Sequence, residues 1–295
     1  MRENSMVSKD NMQNNSSEIN LLFTCTHWGQ ELLAVEDFLD TVISNNFNGI
    51  EINLPESGDF LDRFIRKIET IKLDHPDFVF IPQQLNNPEN DTIDDYIKRV
   101  EKRLIHLISL GPTFINSHTG KDHFSFEDNC RVIEACMNIS SKTGVRILHE
   151  THRGRFSFHA ASLIPYLKKF PELELVGDFS HFCTVSESLL QDQAEIIREI
   201  IPYVSHIHAR VGHEESPQVN NPFAPEWENH LKQFVKWWQE IIHQKKEDGW
   251  GCMTITPEFG PAPYMPLAPF TQEPLGKQSE INIKLMHHLK STLQT

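Results

Sequence analysis

The sequence predicts an α/β fold, a single closed (β/α)8 barrel, and three observations support that prediction. Short apolar runs rich in β-type residues alternate with longer amphipathic segments, and eight such pairs can be drawn along the chain. Strict alternation is typical of parallel strands joined by right-handed crossovers, and eight units are the number that closes a barrel. The first predicted strand runs into C-T-H-W-G-Q instead of a glycine-rich phosphate turn, which disfavours the doubly wound open sheet.

The elements follow in chain order from residue 20. Strands are predicted at 20–25, 49–54, 78–83, 113–117, 145–150, 173–178, 204–209 and 252–259. Helices are predicted at 31–46, 59–73, 92–110, 127–143, 159–170, 186–201, 225–243 and 279–293. The third helix shows the period most clearly, because Ile97, Val100 and Leu104 fall on one stripe and Gly111 follows as a stop signal.

The domain organisation follows from where this patterning begins. Residues 1–18 are rich in Asn, Ser and charge and are expected to form a disordered N-terminal tail, since they lack the apolar segment of a secretory signal. Residues 19–295 are expected to form one barrel domain, because no repeat or Pro/Gly linker divides them. The longest irregular stretches, 211–224 and 260–277, are expected to lie at the carboxyl-terminal mouth of the barrel.

The composition argues against several classes of function. With 41 acidic against 27 basic side chains the formal charge is −14, and no Lys/Arg block indicates a nucleic-acid or anionic-membrane partner. No run approaches the ~18 apolar residues that span a bilayer, so we expect a water-soluble protein. The five cysteines form no C-x-x-C pair and are expected to be buried free thiols of a reducing, cytoplasmic compartment. Self-association into a homo-oligomer is left open.

Four acidic or imidazole side chains stand at the carboxyl ends of four consecutive predicted strands: Glu150, Asp178, His208 and Glu258. The tops of adjacent strands converge on the barrel axis, where three carboxylates would repel one another unless a cation lay between them. An oxygen-rich set with one nitrogen predicts one divalent metal ion, Mn²⁺, Mg²⁺ or Co²⁺, and does not exclude Zn²⁺. Taken alone, Glu150 is more simply interpreted as an exposed carboxylate paired with Arg153 or Arg155.

Further polar side chains are predicted on the same rim. Each is about as readily an ordinary ion-paired or capped residue as a contact to substrate. The candidates are His181, Arg210, His118, Glu51 and Arg153, with His27 and His206 beside them. For His206, a buried core position one layer below the rim is at least as well supported.

Four motifs carry a resemblance to a known superfamily. They are H-E-T-H-R-G-R around Glu150, G-D-F-S-H with Asp178 and His181, H-I-H-A-R with His208, and T-P-E-F-G-P with Glu258. On these motifs, and as topology over nearly the whole chain, the sequence resembles the xylose isomerase-like TIM-barrel superfamily. The resemblance is to its sugar phosphate isomerase/epimerase group, which includes ketose 3-epimerases, hydroxypyruvate isomerase and inosose dehydratase.

The resemblance implies a role for each matching residue. In that superfamily one divalent metal is bound by the residues that match Glu150, Asp178, His208 and Glu258. The residues matching Glu150 and Glu258 are also the acid/base pair, and the one matching His181 contacts substrate. The implied function is isomerisation or epimerisation of a small keto-sugar or polyol by proton transfer through an enediolate. Arg210 or His181 would stabilise the developing oxyanion.

Two departures from the pattern bear on this interpretation. Ketose 3-epimerases carry a substrate-binding arginine several residues beyond the metal histidine, whereas Arg210 follows His208 by two residues and precedes an acidic pair. The apurinic endonucleases of the superfamily add zinc ligands from an Asp-x-His after strand seven, which is missing from V-G-H-E-E-S-P. An endonuclease-like metal hydrolase or a non-catalytic metal-binding barrel is the alternative, and the acidic balance disfavours the nuclease.

Overall fold

Eight parallel strands close into a barrel in chain order, each hydrogen-bonded to the next and the last to the first. The computed structural model describes residues 19–85, 89–90 and 92–293, and the predicted tail 1–18 lies outside them. The strands are β1 (Asn20–Thr26), β2 (Gly49–Ile52), β3 (Val79–Gln84), β4 (Ile115–Ser117), β5 (Ile147–Glu150), β6 (Leu175–Gly177), β7 (Val204–Ala209) and β8 (Cys252–Pro257). The predicted (β/α)8 barrel is thereby confirmed.

Helices follow every strand and form the outer layer of the barrel. They are α1 (Val35–Ser44), α2 (Asp59–Asp74), α3 (Ile93–Ser109), α4 (Phe126–Thr143), α5 (Ala160–Lys169), α6 (Phe179–Ser186), α7 (Ala194–Ile200), α8 (Glu228–Glu247) and α9 (Gln278–Thr292). The predicted stripe of α3 is buried, with Val100, Leu104 and Leu107 packed against Ile115 of β4 and Val132 of α4. Such packing, more than intrinsic propensity, holds a helix of this length in place.

The region after β6 differs from the single helix predicted over 186–201. A helix, α6, begins immediately after the strand, because the Asp178 side chain accepts a hydrogen bond from the Ser180 amide at 3.0 Å and caps the first turn. It ends at Glu187, whose φ of 46° is left-handed. The residues before Ala194 are therefore a connection. The overlooked signal was G-D-F-S-H itself, since an aspartate before an apolar-periodic segment is a helix start.

The interior of the barrel changes from apolar to polar along the strands. Its floor is one buried cluster formed by Val79, Ile81, Phe114, Leu148 and Val176. Burying side chains of this kind stabilises a fold by roughly 1.5–3 kcal/mol each. Side chains alternate along a strand, so the next inward residue after Leu148 on β5 is Glu150. The same alternation places a polar layer above the floor, at the carboxyl-terminal mouth.

Two loops at this mouth, β4–α4 and β5–α5, are packed against each other. The Phe156 amide donates to the Thr119 carbonyl at 3.4 Å. Gly120 has a left-handed φ of 62°, and a Cβ atom there would collide with the Asn129 side chain. Asn129 in turn bonds both the amide and the carbonyl of Lys121, at 3.1 and 2.9 Å. The two loops therefore form a fixed part of the rim.

The cysteines are free thiols, as predicted, and all are buried except Cys252, which is partly exposed. Within the described ranges, no helix combines the length and apolar character needed to cross a membrane.

Candidate metal centre

The four predicted ligands converge at the mouth of the barrel. Glu150 ends β5, His208 lies near the end of β7, and Asp178 and Glu258 directly follow β6 and β8. Each offers one ligand atom, and these atoms all lie within 4.8 Å of one another. All four side chains are buried, so the alternative of an exposed, arginine-paired Glu150 does not describe this residue.

His208 presents its Nδ1 atom to the centre. That nitrogen lies 2.9 Å from Glu258 Oε2 and 3.6 Å from Glu150 Oε1. It is buried and makes no well-aligned hydrogen bond within the described part of the chain, so its two close contacts there are with carboxylate oxygens. An imidazole nitrogen surrounded by carboxylate oxygens is a donor set that suits a divalent cation. The residues present therefore fit the predicted metal ion.

Glu51 lies directly beneath the centre and holds the other side of the His208 ring. Both of its carboxylate oxygens lie 2.9 Å from His208 Nε2, so Nε2 donates downward and Nδ1 is left as the ligand atom. Gln83 and Asn116 donate to Oε1 of Glu51, and Thr256 donates to Oε2. A histidine oriented by a carboxylate through its second nitrogen is the usual arrangement at protein metal sites.

The two glutamates of the centre differ in acidity. Burial alone would raise the pKa of Glu150, but the nearby His118 and His208 reverse this effect and bring its pKa well below the ordinary value. Burial also raises the pKa of Glu258, and because His208 and Arg210 offset this only in part, its pKa stays raised. Burial would lower the pKa of His208, but the surrounding glutamates outweigh it and hold that pKa well above the ordinary value.

The carboxylate of Glu150 is fixed at one oxygen. Its Oε2 accepts from Asn116 Nδ2 at 2.7 Å and lies 2.9 Å from His118 Nε2. Arg155 Nη2 lies 3.3 Å from His118 Nδ1. Because a guanidinium can only donate, this nitrogen must accept, so Nε2 carries the proton that bonds Glu150. The other oxygen, Oε1, faces His208 and the centre.

Asp178 is bonded on both oxygens. Its Oδ1 accepts from the Ser180 amide and hydroxyl, at 3.0 and 2.5 Å, and its Oδ2 accepts from Arg210. A carboxylate oxygen has a further lone pair, so Oδ2 can hold a cation as well. Arg210 also lies 3.1 Å from His181 Nε2 and 3.4 Å from Glu258 Oε2. This guanidinium therefore counters part of the negative charge of the centre.

A cavity of about 280 Å³ opens above these residues. The rings of Trp28 and Tyr264 form one wall, with centroids 4.9 Å apart at 87°, and the Arg210 guanidinium lies 4.9 Å from the Tyr264 ring. Gln83, His118, His152 and Glu258 add polar groups to the lining. The cavity therefore combines apolar ring faces with hydrogen-bonding groups, as small-molecule sites do.

No protein-family profile and no curated protein matches the chain, but solved structures match over nearly their whole length. The probable 3-DHS dehydratase AsbF of Bacillus anthracis, involved in petrobactin synthesis, has a TM-score of 0.58 at 15% identity, covering 92% of this chain and 98% of its own. A xylose isomerase-like TIM barrel protein from Mycobacterium smegmatis, in complex with magnesium, has the same TM-score and identity. The match covers 98% of this chain and 100% of that protein. An IolI protein with a bound zinc atom has a TM-score of 0.59 at 14% identity, and the match covers 93% of this chain and 98% of the IolI chain.

This chain has the xylose isomerase-like TIM-barrel fold. The resemblance read from the four motifs is thus confirmed as a fold, and at these identities the likeness shows the fold alone. The magnesium and the zinc are properties of the M. smegmatis and IolI structures, respectively.

The predicted substrate-binding residues occupy different positions in this xylose isomerase-like barrel. His118 and Arg210 line the cavity, and buried His181 lies behind Arg210. Arg153 is exposed at the rim, 5.0 Å from the Tyr264 ring. Glu51 is fully buried and is not part of the cavity lining. The hydrogen bonds described for its carboxylate are all to protein side chains, His208 among them, and this position suits orienting His208. Its contact with substrate stays a prediction.

The sequence left open whether His206 is a core or a rim residue, and it did not indicate His152 or Tyr264 as cavity residues. His206 is a core residue, bonded to Thr254 at 2.7 Å and Thr256 at 3.0 Å. His152 lies in the cavity lining two residues after Glu150, and that i, i+2 spacing could have indicated it. Tyr264 comes from the long loop after β8, where no local pattern points to the cavity.

Two other groups of potential metal ligands overlap the centre. One contains Glu51, His206 and His208, and the other contains His118, Glu150 and His152. Hydrogen bonds already engage the facing atoms of Glu51 with both histidines. In the second group, the His118 contact to Glu150 is a hydrogen bond with an assigned proton. The group of Glu150, Asp178, His208 and Glu258, in which His208 Nδ1 makes no well-aligned hydrogen bond, is therefore the best candidate for a cation.

Proposed function

We propose that the protein is a divalent-metal-dependent sugar isomerase or epimerase that transfers a proton on a small keto-sugar or polyol through an enediolate. The observation that carries this proposal is the approach of two glutamates, from β5 and from the end of β8, to the same His208 nitrogen. Proton removal and return need two groups that address the substrate from different directions. A centre that only binds metal needs ligands but not a second, differently tuned carboxylate.

A divalent cation held by Glu150, Asp178, His208 and Glu258 would polarise the substrate carbonyl and stabilise negative charge on its oxygen. Zinc and magnesium in two proteins of this fold support a divalent ion here. The remaining tasks fall to the side chains of the chain itself.

Glu150 is suited to remove the substrate proton. Its pKa is held below the ordinary value by His118 and His208, so it is ionised over the whole neutral range. Asn116 and His118 fix Oε2, which leaves Oε1 as the oxygen that can accept a proton. Fixing a base in one orientation reduces the reorganisation needed at the moment of transfer.

Glu258 is suited to return the proton. Burial raises its pKa in the metal-free centre, and a carboxylate that holds a cation through one oxygen can still exchange a proton through the other. It lines the same cavity as Glu150. Return to the opposite face of the same carbon gives epimerisation, and return to the neighbouring carbon gives isomerisation.

The rest of the cavity suits a polyhydroxylated molecule. Trp28 and Tyr264 offer ring faces for the carbon backbone, and Gln83 and His152 offer hydrogen bonds for hydroxyl groups. Arg210, buried beside Asp178 and Glu258, can stabilise charge on a substrate oxygen.

The proposal is tested by solvent deuterium exchange into a panel of ketoses, followed by NMR with the metal-loaded protein. Wild type should incorporate deuterium next to the carbonyl carbon. Glu150→Gln and Glu258→Gln should each lower exchange by ~10²-fold or more, because the amide keeps the volume but cannot take up the proton. Metal content of each variant should be measured in parallel.

Glu69→Gln, an exposed change on α2, is the matched control and should exchange like wild type. If both active-centre variants exchange and turn over at wild-type rates, the glutamates serve as ligands only and the proposed chemistry is wrong. Loss of water from the ketose, detected in the same spectra, would assign the protein to dehydration, which begins with the same proton removal.

The metal-hydrolase alternative has less support from the segment after β7. In this segment His213 stacks on Trp227 at 5.0 Å and Glu214 pairs with His230 at 3.1 Å. Both side chains are engaged by the α8 region, so they do not replace the Asp-x-His ligands that the apurinic endonucleases of the superfamily add after strand seven.

A further inference from the structure

One side of the cavity is formed at the ends of β1, β2 and β3, whereas the four candidate metal ligands come from β5 to β8. His27 directly follows β1, Asn53 directly follows β2, and Gln83 lies in β3. These strands are consecutive in the barrel, and neighbouring strands lie about 4.8 Å apart. A substrate held at the centre by its carbonyl end would therefore meet this side with the rest of its chain.

His27 is a buried histidine whose ring has no hydrogen-bond partner. The residue is 5% exposed, and neither ring nitrogen makes a hydrogen bond within the described residues. By contrast, buried His149 and His206 contact Thr119 at 2.6 Å and Thr254 at 2.7 Å. Burial lowers the pKa of His27, so its ring is neutral. Because Nε2 is enclosed, Nδ1 is the nitrogen that can meet a ligand in the cavity.

The amide of Gln83 is oriented by Glu51. A carboxylate oxygen accepts hydrogen bonds, so the atom that lies 3.1 Å from Glu51 Oε1 is the amide nitrogen of Gln83. The amide oxygen, Gln83 Oε1, has no hydrogen-bond partner among the described residues and is not enclosed. Gln83 therefore presents a hydrogen-bond acceptor on the cavity lining.

The amide of Asn53 is oriented by Arg103. The Nη2 atom of Arg103 lies 3.3 Å from Asn53 Oδ1, and a guanidinium can only donate. Arg103 is itself buried and also donates to the carbonyl of Leu54. The amide nitrogen, Asn53 Nδ2, has no partner in the part of the chain that the structure describes. Asn53 therefore presents a hydrogen-bond donor on the cavity lining.

The cavity lining offers no free cation on this side. Among the described lining residues, Arg210 is the one with a guanidinium or ammonium group, and it already bonds Asp178 and lies 3.4 Å from Glu258. The other lining residues with ionisable carboxyl groups are Glu31, Glu150 and Glu258. A phosphate or carboxylate group placed against His27, Asn53 and Gln83 would lose its hydration without gaining a positively charged partner.

We propose that His27, Asn53 and Gln83 form a neutral subsite for hydroxyl groups, and that they determine specificity for an uncharged polyol chain at the end of the keto-sugar distant from its carbonyl. The inference rests on the proposed function for the carbonyl end. A hydroxyl group both donates and accepts, and the subsite supplies both kinds of partner. A site built to hydrogen-bond hydroxyl groups rejects an analogue that lacks them, because its own polar groups are then left unpaired.

The test is isothermal titration of the metal-loaded full chain with dihydroxyacetone, with the D-ketohexoses fructose, psicose, tagatose and sorbose, and with the 6-phosphate of each ketohexose. Dihydroxyacetone has the carbonyl and its neighbouring hydroxyl groups but no distal chain. At least one ketohexose should bind about 10-fold or more tightly than dihydroxyacetone, because two or three hydrogen bonds add roughly this much. Its 6-phosphate should bind no more tightly than the parent sugar.

His27→Phe and Asn53→Asp should each lower the ratio of ketohexose to dihydroxyacetone affinity by about 5-fold or more. Phenylalanine removes both ring nitrogens in a position whose ring already contacts Phe38 and Phe60, at 4.7 and 5.5 Å between centroids. Aspartate keeps an oxygen for Arg103 and removes the donor.

The matched controls are His287→Phe on α9 and Asn138→Asp on α4, both at exposed positions. Both should keep the wild-type affinity ratio. Melting temperature and metal content establish that each variant retains the fold and the centre. If His27→Phe does not fold, Asn53→Asp decides the question.

The outcomes separate the subsite from the chemistry. If no ketohexose reaches the expected preference over dihydroxyacetone, or if the preference survives in both variants, the subsite is wrong while the proposed function stands. If a 6-phosphate binds more tightly than its parent sugar, the neutral character of the subsite is overturned.

If no ketose binds, the proposed function fails, and sorbitol and mannitol, which have hydroxyl groups but no carbonyl, then test the subsite alone. Binding of either hexitol to wild type that weakens in His27→Phe or Asn53→Asp keeps the subsite. Equal binding to wild type and both variants, or no binding to wild type, overturns it.

Discussion

Nε2 of His208 lies 2.9 Å from both oxygens of Glu51, a residue 157 positions earlier in the chain. The two side chains are fully buried and come from strands on different sides of the barrel closure, β2 and β7. Their contact determines which nitrogen of His208 faces the centre. The orientation of the candidate ligand thus depends on a residue outside all four motifs.

Glu51→Gln should weaken metal binding about 10- to 100-fold, because removing a carboxylate that orients a ligand histidine has an effect of this size. The amide can still accept a hydrogen bond but no longer favours the required tautomer. Isothermal titration with Mn²⁺ measures the change. Glu69→Gln should bind like wild type. If Glu51→Gln binds as tightly as wild type, His208 is oriented without Glu51.

Asp178→Asn and Asp178→Ala should both lose stoichiometric metal after dialysis, as measured by elemental analysis. The pair separates two roles of this side chain. Asparagine keeps an oxygen for the Ser180 amide and so retains the cap of α6, whereas alanine loses it, at about 0.5–2 kcal/mol. Asp178→Asn should therefore have a higher melting temperature than Asp178→Ala. Metal retained at full occupancy in both variants would remove Asp178 from the centre.

Most of the fold was predictable because the barrel repeats one local pattern. The alternation of short β-type apolar runs with longer amphipathic helical segments located every strand. The strand β7 has its predicted bounds of Val204–Ala209. The region after β6 was not predictable in this way. There a side-chain cap at Asp178 starts a helix at once, and two left-handed residues, Glu187 and Leu190, break the segment that looked continuous.

Metal affinity should fall as the pH is lowered, starting above the pH at which an ordinary histidine titrates. The reason is that the surrounding glutamates hold the pKa of His208 above its usual value, and burial raises that of Glu258. A ligand must lose its proton to bind metal, so binding should release about one proton or more near neutral pH. Calorimetry in buffers of different ionisation enthalpy counts these protons. A release near zero at pH 6 would contradict the raised pKa of His208.

Gly120→Ala should destabilise the protein more than Gly111→Ala. Both glycines have a left-handed φ, of 62° and 68°, which costs alanine about 1–2 kcal/mol. Only at Gly120 would the new Cβ also meet the Asn129 side chain, and such a clash adds about 1–3 kcal/mol. Urea unfolding of the metal-loaded variants compares the two. Equal losses would mean that the loop at Gly120 relaxes freely.

The sequence predicted the site residues that stand at strand ends. It did not predict those that come from loops or from a deeper layer of the barrel. Glu150, Asp178, His208 and Glu258 could be aligned from strand ends alone, since parallel strands finish at one rim. Glu51 lies one layer of side chains below the four candidate ligands, and the depth of a residue in the barrel cannot be read from the sequence.

The bond between the Ser180 amide and Asp178 Oδ1, at 3.0 Å, makes one backbone proton a spectroscopic reporter of the centre. Coordination of a cation by Asp178 draws electron density from that carboxylate and weakens the hydrogen bond that Oδ1 accepts. The amide resonance of Ser180 should therefore shift during titration with diamagnetic Mg²⁺ or Zn²⁺. Occupancy of the centre could then be followed in solution before any substrate is known.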